Sequence, residues 1–206
     1  MSLRVIAKEL QLHVPFTAFG SATGIAIVAL LAFAHAPGSL SEALFWFFHP
    51  VHVLLSAIVT AGMYRLHGKG RLWHTLLIGY FGSIGIATLS DSLIPYVGEA
   101  LLDLPHRQVH LGFIEKAWLV NPLAIAGSLL AFVRPTTKLP HAGHVLLSTW
   151  ASLFHMTMAL DSPLNATTFI GIGVFLFLSV WVPCCTSDIV FPLLFTRERN
   201  AEKPVT

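Results

Sequence analysis

Long apolar runs separated by short polar breaks form the main pattern of the chain. Each run is long enough to cross about 30 Å of hydrocarbon as a helix that rises about 1.5 Å per residue. The connecting loops are too short to hold a soluble domain, so the pattern predicts one all-α integral membrane domain, 1–206, with six transmembrane helices. The apolar runs are residues 15–35, 44–64, 73–97, 111–133, 140–160 and 167–195.

The composition agrees with this membrane interpretation. Hydrophobic residues make up 55% of the chain and charged residues only 11%, whereas a soluble protein has about 25% charged residues. Lys and Arg concentrate in the N-terminal segment, in the loops after the second and fourth runs, and in the tail. Because basic residues favour the cytoplasmic side, we expect both termini in the cytoplasm, as in a bacterial inner-membrane protein. Residues 1–14 would lie at the interface, and residues 197–206 would form a cytoplasmic tail.

One polar motif occurs twice among the apolar runs. The sequence HPVHVLLS of His49–Ser56 returns as HAGHVLLS in His141–Ser148, and six of the eight positions are identical. A Ser-Asp pair followed by Pro also recurs, in Ser90–Pro95 and Ser187–Pro192. Two motifs that return in the same order on corresponding helices indicate an internal duplication.

The duplication predicts how the two halves are arranged. Residues 15–97 would form the first repeat and residues 111–196 the second, with three helices in each. An odd number of helices makes the two halves cross the membrane in opposite directions, which gives an inverted repeat of the kind found in secondary transporters. The first motif would then lie toward the outer face and the second toward the cytoplasm, as two sites in opposite leaflets.

Each motif belongs to a polar stripe along its helix, because the polar positions are spaced by three or four residues. Lipid cannot satisfy such side chains, so we expect them to face protein or water. Two imidazoles one turn apart, with a carboxylate from the next helix, can bind Zn, Ni, Co, Fe or Cu. The same groups can carry protons, since imidazole is the side chain that changes charge near neutral pH.

The candidate site residues follow from the two motifs and from the stripes. The predicted metal ligands are His49, His52 and Asp91 in the first repeat, and His141, His144 and Asp188 in the second. The residues expected to line a pathway or to support the ligands are Ser56, Thr60, Ser90, Glu115, Ser148, Ser152, His155, Cys184 and Ser187.

These features favour a transporter or permease for a divalent transition-metal ion or for a proton-coupled small cation. Inverted halves and proline-interrupted helices are typical of alternating access, and the chain has no nucleotide-binding motif. The expected partners are the lipid bilayer and the cation, together with a second copy of the chain or a larger membrane complex. The net charge is +2, and the predicted topology explains where the basic residues lie. No nucleic-acid partner is therefore expected.

A membrane electron carrier is one alternative. It would hold two b-type haems, each bound by histidines from facing helices. His52 would pair with His110, and His74 would pair with His144. This alternative explains histidines on both sides of the membrane but leaves the two aspartates without a role.

A membrane metallohydrolase is another alternative. Histidines of the first motif would hold a zinc-bound water, and Asp91 or Glu115 would act as the general base. The chain has no His-Glu-x-x-His or Gly-x-Ser-x-Gly motif. No specific signature therefore supports an enzyme, and a non-enzymatic function is favoured.

Overall fold

The computed structural model of the chain describes residues 3–67, 71–135, 138–160, 165–185 and 190–195. All regular structure in these ranges is helical, which confirms the predicted all-α class. Each of the six predicted apolar runs overlaps helical structure within the described residues. The elements are α1 (Leu3–Phe33), α2 (Gly38–His67), α3 (Leu72–Thr88), a π-helical segment (Leu89–Leu93), α4 (Ile94–Leu101), α5 (Gly112–Glu115), α6 (Ala117–Val133), α7 (Lys138–Met158), α8 (Ala166–Cys185) and α9 (Phe191–Leu194).

The helices support a membrane protein. Among the described residues, four stretches are long and apolar enough to cross a bilayer. The helix α6 is apolar but has only 17 residues, and α7 is not in the set because many of its buried side chains are hydroxyls and imidazoles. The four stretches are Val14–Phe33, Gly38–His67, Leu72–Leu101 and Ala166–Cys184.

The surface of the bundle is apolar as well. Large side chains on several helices expose between 64% and 84% of their area, and they include Phe19, Phe33, Trp73, Trp118 and Ile170. Extensive exposed apolar surface is rare on soluble monomers. A lipid bilayer would cover these side chains.

The helix α2 occupies the centre of the bundle. It packs against α3, α6 and α7, while α1 packs against α7 and α8. An apolar cluster joins α1, α2, α7 and α8, and its buried members include Val28, Phe45, Leu153, Met156 and Leu176. This packing turns the polar stripes of α2 and α7 toward the inside of the protein.

The helical stretch after α2 widens where it carries Asp91. Leu89–Leu93 is π-helical, and the N–H of Ile94 donates to the carbonyl oxygen of Leu89, five residues earlier. Pro95 explains the position, because in a regular α-helix a proline ring collides with the carbonyl four residues before it, which here belongs to Asp91. The π segment removes this collision without ending the helix.

The wide turn also changes which side chains share a face. Asp91 and Glu99 are eight residues apart, which in a continuous α-helix would set them about 80° apart around the axis. A π turn holds one extra residue, so α4 is rotated relative to α3 and the two carboxylates come closer to a common face. Both are completely buried, and both accept hydrogen bonds from α7.

Candidate metal centre

Asp91 is the hub of the buried polar network. Its Oδ2 accepts hydrogen bonds from His49 Nδ1 at 2.9 Å and from His52 Nδ1 at 2.7 Å. The hydroxyls of Ser90 and Ser148 donate to its Oδ1 at 2.6 and 2.9 Å. Asp91 is completely buried, and these four donors take the place of the water that it has lost.

The hydrogen bonds to Asp91 fix the tautomer of two histidines. An ionised carboxylate only accepts hydrogen bonds, so Nδ1 of each ring carries a proton, and in the neutral ring Nε2 then has the lone pair. A carboxylate that holds Nδ1 in this way is the usual support of a metal-binding histidine. His49 and His52 are one turn apart on α2, which is why a single carboxylate from the next helix reaches both.

His52 belongs to a group of potential metal ligands. The ring of His52 stacks on the ring of His144, with centroids 5.7 Å apart and 13° between the planes. One ligand atom each from His52, His144 and Cys184 lie within 4.8 Å of one another. All three residues are at most 1% exposed. These three residues are called the core site below.

The core site has the composition of a transition-metal site. Two imidazole nitrogens and a thiolate suit zinc and its first-row neighbours. Among the described atoms, Nε2 of His52 is buried without a hydrogen-bond partner, which is costly unless a ligand binds there. The Cys184 thiol donates to the Ser148 hydroxyl at 3.6 Å, and that hydroxyl donates to Asp91. The core site and the Asp91 network are therefore continuous.

The structure brings together the ligands predicted for the first repeat and one ligand of the second. His49, His52 and Asp91 contact one another as expected. His144 lies against His52, so these motif residues meet in one cluster, and the expectation of two sites in opposite leaflets is wrong for this pair. The helix α2 begins at Gly38 rather than at 44, which places His52 about 21 Å along a helix of about 45 Å.

Three of the predicted site residues cannot be located in this way. Asp188 and Ser187 lie outside the described residues, and only the helical backbone of His141 is described. Their membership of a metal site stays a prediction from the sequence.

The predicted supporting residues divide into two groups. Those that are buried as expected are Ser56, Thr60, Ser90, Ser148, Ser152, His155 and Cys184. Ser152 extends the network, because its hydroxyl donates to the backbone oxygens of Ser90 and Ser148. Cys184 has a more direct position than predicted, since it is close enough to act as a ligand. Glu115, by contrast, is exposed.

The haem alternative joins histidines that have other neighbours in the structure. His144 stacks on His52, whereas His74 is an exposed residue in the first turn of α3. The ring of His110 lies against the ring of His155, with centroids 5.4 Å apart. These ring contacts therefore join histidines that the haem alternative does not pair.

A second buried histidine–carboxylate pair lies beside a cavity near the start of α2. His155 Nδ1 donates to Glu99 Oε1 at 2.6 Å, and both side chains are 1% exposed. The other oxygen, Oε2, is buried and has no hydrogen-bond partner among the described atoms. The cavity has a volume of about 230 Å³ and is called the vestibule below. Its polar lining consists of Glu42, Glu99, His106, Gln108, His110 and His155.

Glu99 is the residue that sequence reasoning missed. The third apolar run is predicted to end at 97, which puts Glu99 in a loop, whereas α4 continues to Leu101. The signal that could have found it is its position two turns beyond Asp91, on the same helical stretch. The π segment that brings the two acids toward one face is not visible in the apolar pattern.

Phe45 lies between the Asp91 network and the vestibule. Its ring is completely buried and stacks on His49, with centroids 5.3 Å apart. It also contacts the rings of His155 and His110, at centroid distances of 5.4 and 5.7 Å. One aromatic side chain therefore touches histidines of both polar regions.

Comparisons with known proteins leave the functional assignment to the site chemistry. No protein-family model matches the sequence, and no curated protein and no solved structure matches it.

Proposed function

We propose that the chain is a membrane transporter or permease for divalent transition-metal ions, which bind at the core site. The observation that carries this proposal is the position of His52. Its Nδ1 is held by Asp91, its Nε2 is buried without a hydrogen-bond partner among the described atoms, and one of its ring nitrogens lies within 4.8 Å of ligand atoms of His144 and Cys184. An imidazole held in this way is prepared to bind a metal ion.

The donor atoms favour a transition metal over an alkali cation. Sulfur and imidazole nitrogen suit Zn²⁺, Co²⁺ and Ni²⁺, whereas hard cations prefer oxygen ligands. Among the described residues the core site has three protein ligands, which leaves the fourth position of a tetrahedral site open in this part of the chain, while a closed set of four is typical of structural zinc. An open position suits an ion that must enter and leave.

The packing of the helices supports inverted repeats around this site. In the predicted repeat, α1 corresponds to α6, α2 to α7, and the stretch from α3 to α4 corresponds to α8. The contacts of α2 with α3 and α6 then have counterparts in the contacts of α7 with α8 and α1. His52 and His144 occupy equivalent positions of the two motifs and meet each other, as residues close to a twofold axis do.

The proposed topology has six crossings, with α6 and α7 completing the four candidate spans. The distribution of Lys and Arg supports cytoplasmic termini. The π segment beside the site supports alternating access, because interrupted helices surround the binding sites of many transporters. A wide turn that converts to a regular α turn would rotate α4 and change the face that Glu99 presents.

The metallohydrolase alternative has less support. Asp91 already accepts four hydrogen bonds. Glu115 accepts from His110 Nδ1 and from the backbone N–H of Leu111. Neither carboxylate is available beside the core site as a general base.

Cobalt substitution tests metal binding at the core site. Purified protein in detergent is titrated with Co²⁺, and we expect a thiolate-to-cobalt charge-transfer band together with the visible bands of tetrahedral cobalt. Cys184→Ser should remove the charge-transfer band, and His144→Ala should weaken Co²⁺ binding at least about tenfold. His74→Ala is the matched control, since His74 is exposed on another helix. A wild-type protein without the band, or a Cys184→Ser variant that keeps it, contradicts the proposal.

Uptake into proteoliposomes tests transport itself. Vesicles that contain the protein and an enclosed metal-sensitive dye should take up Zn²⁺ or Co²⁺ faster than empty vesicles. Cys184→Ser and His144→Ala should abolish the difference, and His74→Ala should leave it unchanged. Tight Co²⁺ binding without flux would instead indicate a resident metal, and a Soret band in the purified protein would favour the haem alternative.

A further inference from the structure

We propose that the vestibule is a second cation site, separate from the core site, which takes divalent cations that keep part of their hydration shell. This inference rests on the proposed transport of cations, because the vestibule would be the place where an ion first binds. The chemistry of its lining identifies the class of ion.

Glu99 supplies the observation that points to a cation. Its Oε1 accepts a hydrogen bond from His155, so one half of the carboxylate is satisfied. Its Oε2 is buried and has no hydrogen-bond partner among the described atoms, and Glu99 is one of the residues that line the cavity. A buried carboxylate oxygen without a partner is costly. A cation or its bound water in the cavity removes that cost.

The imidazoles of the vestibule are oriented for metal binding. His155 directs Nδ1 toward Glu99, and His110 directs Nδ1 toward Glu115 at 3.0 Å. As in the Asp91 network, the carboxylate places the proton on Nδ1 and leaves the lone pair on Nε2. His155 Nε2 lies 3.4 Å from the Ser92 hydroxyl, a long contact that a stronger ligand would replace.

The size and the donors of the vestibule indicate a hydrated ion. Its volume of about 230 Å³ has room for several water molecules, each of which takes about 30 Å³ in the liquid. Its donors are carboxylates, imidazoles and an amide, and the sulfur in its lining is the thioether of Met158 rather than a thiolate. Among the described residues, only the core site brings three ligand atoms within 4.8 Å. More widely spaced oxygen and nitrogen donors suit Mn²⁺ or Mg²⁺, which keep several waters when bound.

The vestibule is open to solvent, whereas the core site is closed. Glu42, His106 and Gln108 are exposed members of the lining, so a hydrated ion can enter the cavity from solution. Phe45 contacts His155 of the lining on one side and His49 of the Asp91 network on the other. The geometry therefore separates an accessible site for a hydrated ion from an enclosed site for a dehydrated one.

Manganese binding tests the vestibule independently of the core site. Mn²⁺ has little preference for thiolate, so the loss of its free EPR signal during a titration of purified protein reports oxygen and nitrogen ligands. We expect wild-type protein to bind Mn²⁺, and Glu99→Gln to weaken the binding at least about tenfold, because the amide has no charge. Asp103→Asn is the matched control, since it changes an exposed acid paired with Arg107 outside the vestibule lining.

Reciprocal measurements distinguish this inference from the proposed function. Cys184→Ser should lose the cobalt–thiolate band and keep Mn²⁺ binding. Glu99→Gln should lose Mn²⁺ binding and keep the cobalt–thiolate band, and the remaining band would also show that this variant folds. Glu42→Gln is the second variant, for use should Glu99→Gln not fold. Glu42 is exposed, so its replacement should not disturb folding, and we expect about two- to fivefold weaker Mn²⁺ binding.

Several outcomes would overturn the vestibule site. They are a wild-type protein that does not bind Mn²⁺, an unchanged Mn²⁺ affinity in Glu99→Gln and Glu42→Gln, or Mn²⁺ binding that disappears in Cys184→Ser. A missing cobalt band with intact, Glu99-dependent Mn²⁺ binding would contradict the core site alone.

Discussion

The core site and the vestibule use the same chemical pairing in different surroundings. In both regions a carboxylate on the stretch from α3 to α4 accepts a hydrogen bond from histidine Nδ1, from His52 to Asp91 and from His155 to Glu99. Asp91 is enclosed and accepts from four donors, whereas Glu99 has one buried oxygen without a partner among the described atoms and lines an open cavity. Under the two proposals, the pairing would prepare an imidazole for a ligand and the surroundings would decide which ligand suits it.

This difference would matter for the proposed transport of an ion. A divalent ion binds water strongly, and removing its hydration shell in one step is costly. A wet site with oxygen and nitrogen donors, followed by a dry site with sulfur, would divide that dehydration into two smaller steps. The comparison can be tested by changing one region and measuring the response of the other.

The largest effect on stability is expected from Asp91. Asp91→Asn leaves four donors without a shared negative charge, so the free energy of unfolding should fall by about 3–5 kcal/mol, as for a broken buried ion pair. Glu99→Gln loses fewer hydrogen bonds and should cost about 1–3 kcal/mol. Denaturation of both variants in the same detergent micelles is the measurement, and equal losses would remove the distinction between the two regions.

A smaller effect is expected at the boundary between the two regions. A β-carbon at Gly112 would overlap Nε2 of His49, so Gly112→Ala should displace that ring from Asp91 and cost up to about 3 kcal/mol. Gly85→Ala is the matched control, because nothing lies near a β-carbon there. It should be neutral or stabilise the helix by up to about 1 kcal/mol. Thermal unfolding compares the two variants, and a stable Gly112→Ala would show that His49 is not fixed in place.

The smallest effect on stability is expected from the serine at the end of each copy of the repeated motif. Ser148→Ala removes one hydrogen bond to Asp91 and should cost about 1.5 kcal/mol, at the low end for a bond to a charged group. Ser56, at the equivalent position of the first motif, has a buried hydroxyl without a partner among the described atoms. Ser56→Ala should therefore be neutral in the same unfolding assay. Equal losses in both variants would mean that Ser56 also has a bonding partner.

The sequence is sufficient to predict the helices and the contacts of Asp91 with His49 and His52. Apolar runs must form helices in a bilayer because lipid cannot satisfy the backbone. His49 and His52 are one turn apart, and Asp91 follows on the next helix, so their contact is a local consequence of helical spacing. These parts depend on short distances along the chain.

The remaining parts depend on how far one helix slides along another. Periodicity identifies the face on which His144 lies but not its depth relative to α2. The helix α2 starts six residues before the predicted position, so its side chains lie about 9 Å further from the helix end than expected. This distance is enough to replace two separate sites with one. Cys184 enters the core site, and Glu99 the vestibule, through the same long-range packing and through the π segment.

Phe45 has a kinetic consequence for an ion held in the core. Protein interiors are close-packed, so its buried ring can move aside only when its neighbours move as well. The residence time of the ion would then depend on how often the ring swings open, and not on the strength of the metal–ligand bonds. Phe45→Leu should leave the equilibrium affinity for Co²⁺ almost unchanged while shortening the half-life of bound Co²⁺ after addition of a chelator. An ion bound behind such a ring would be retained by a slow side-chain motion.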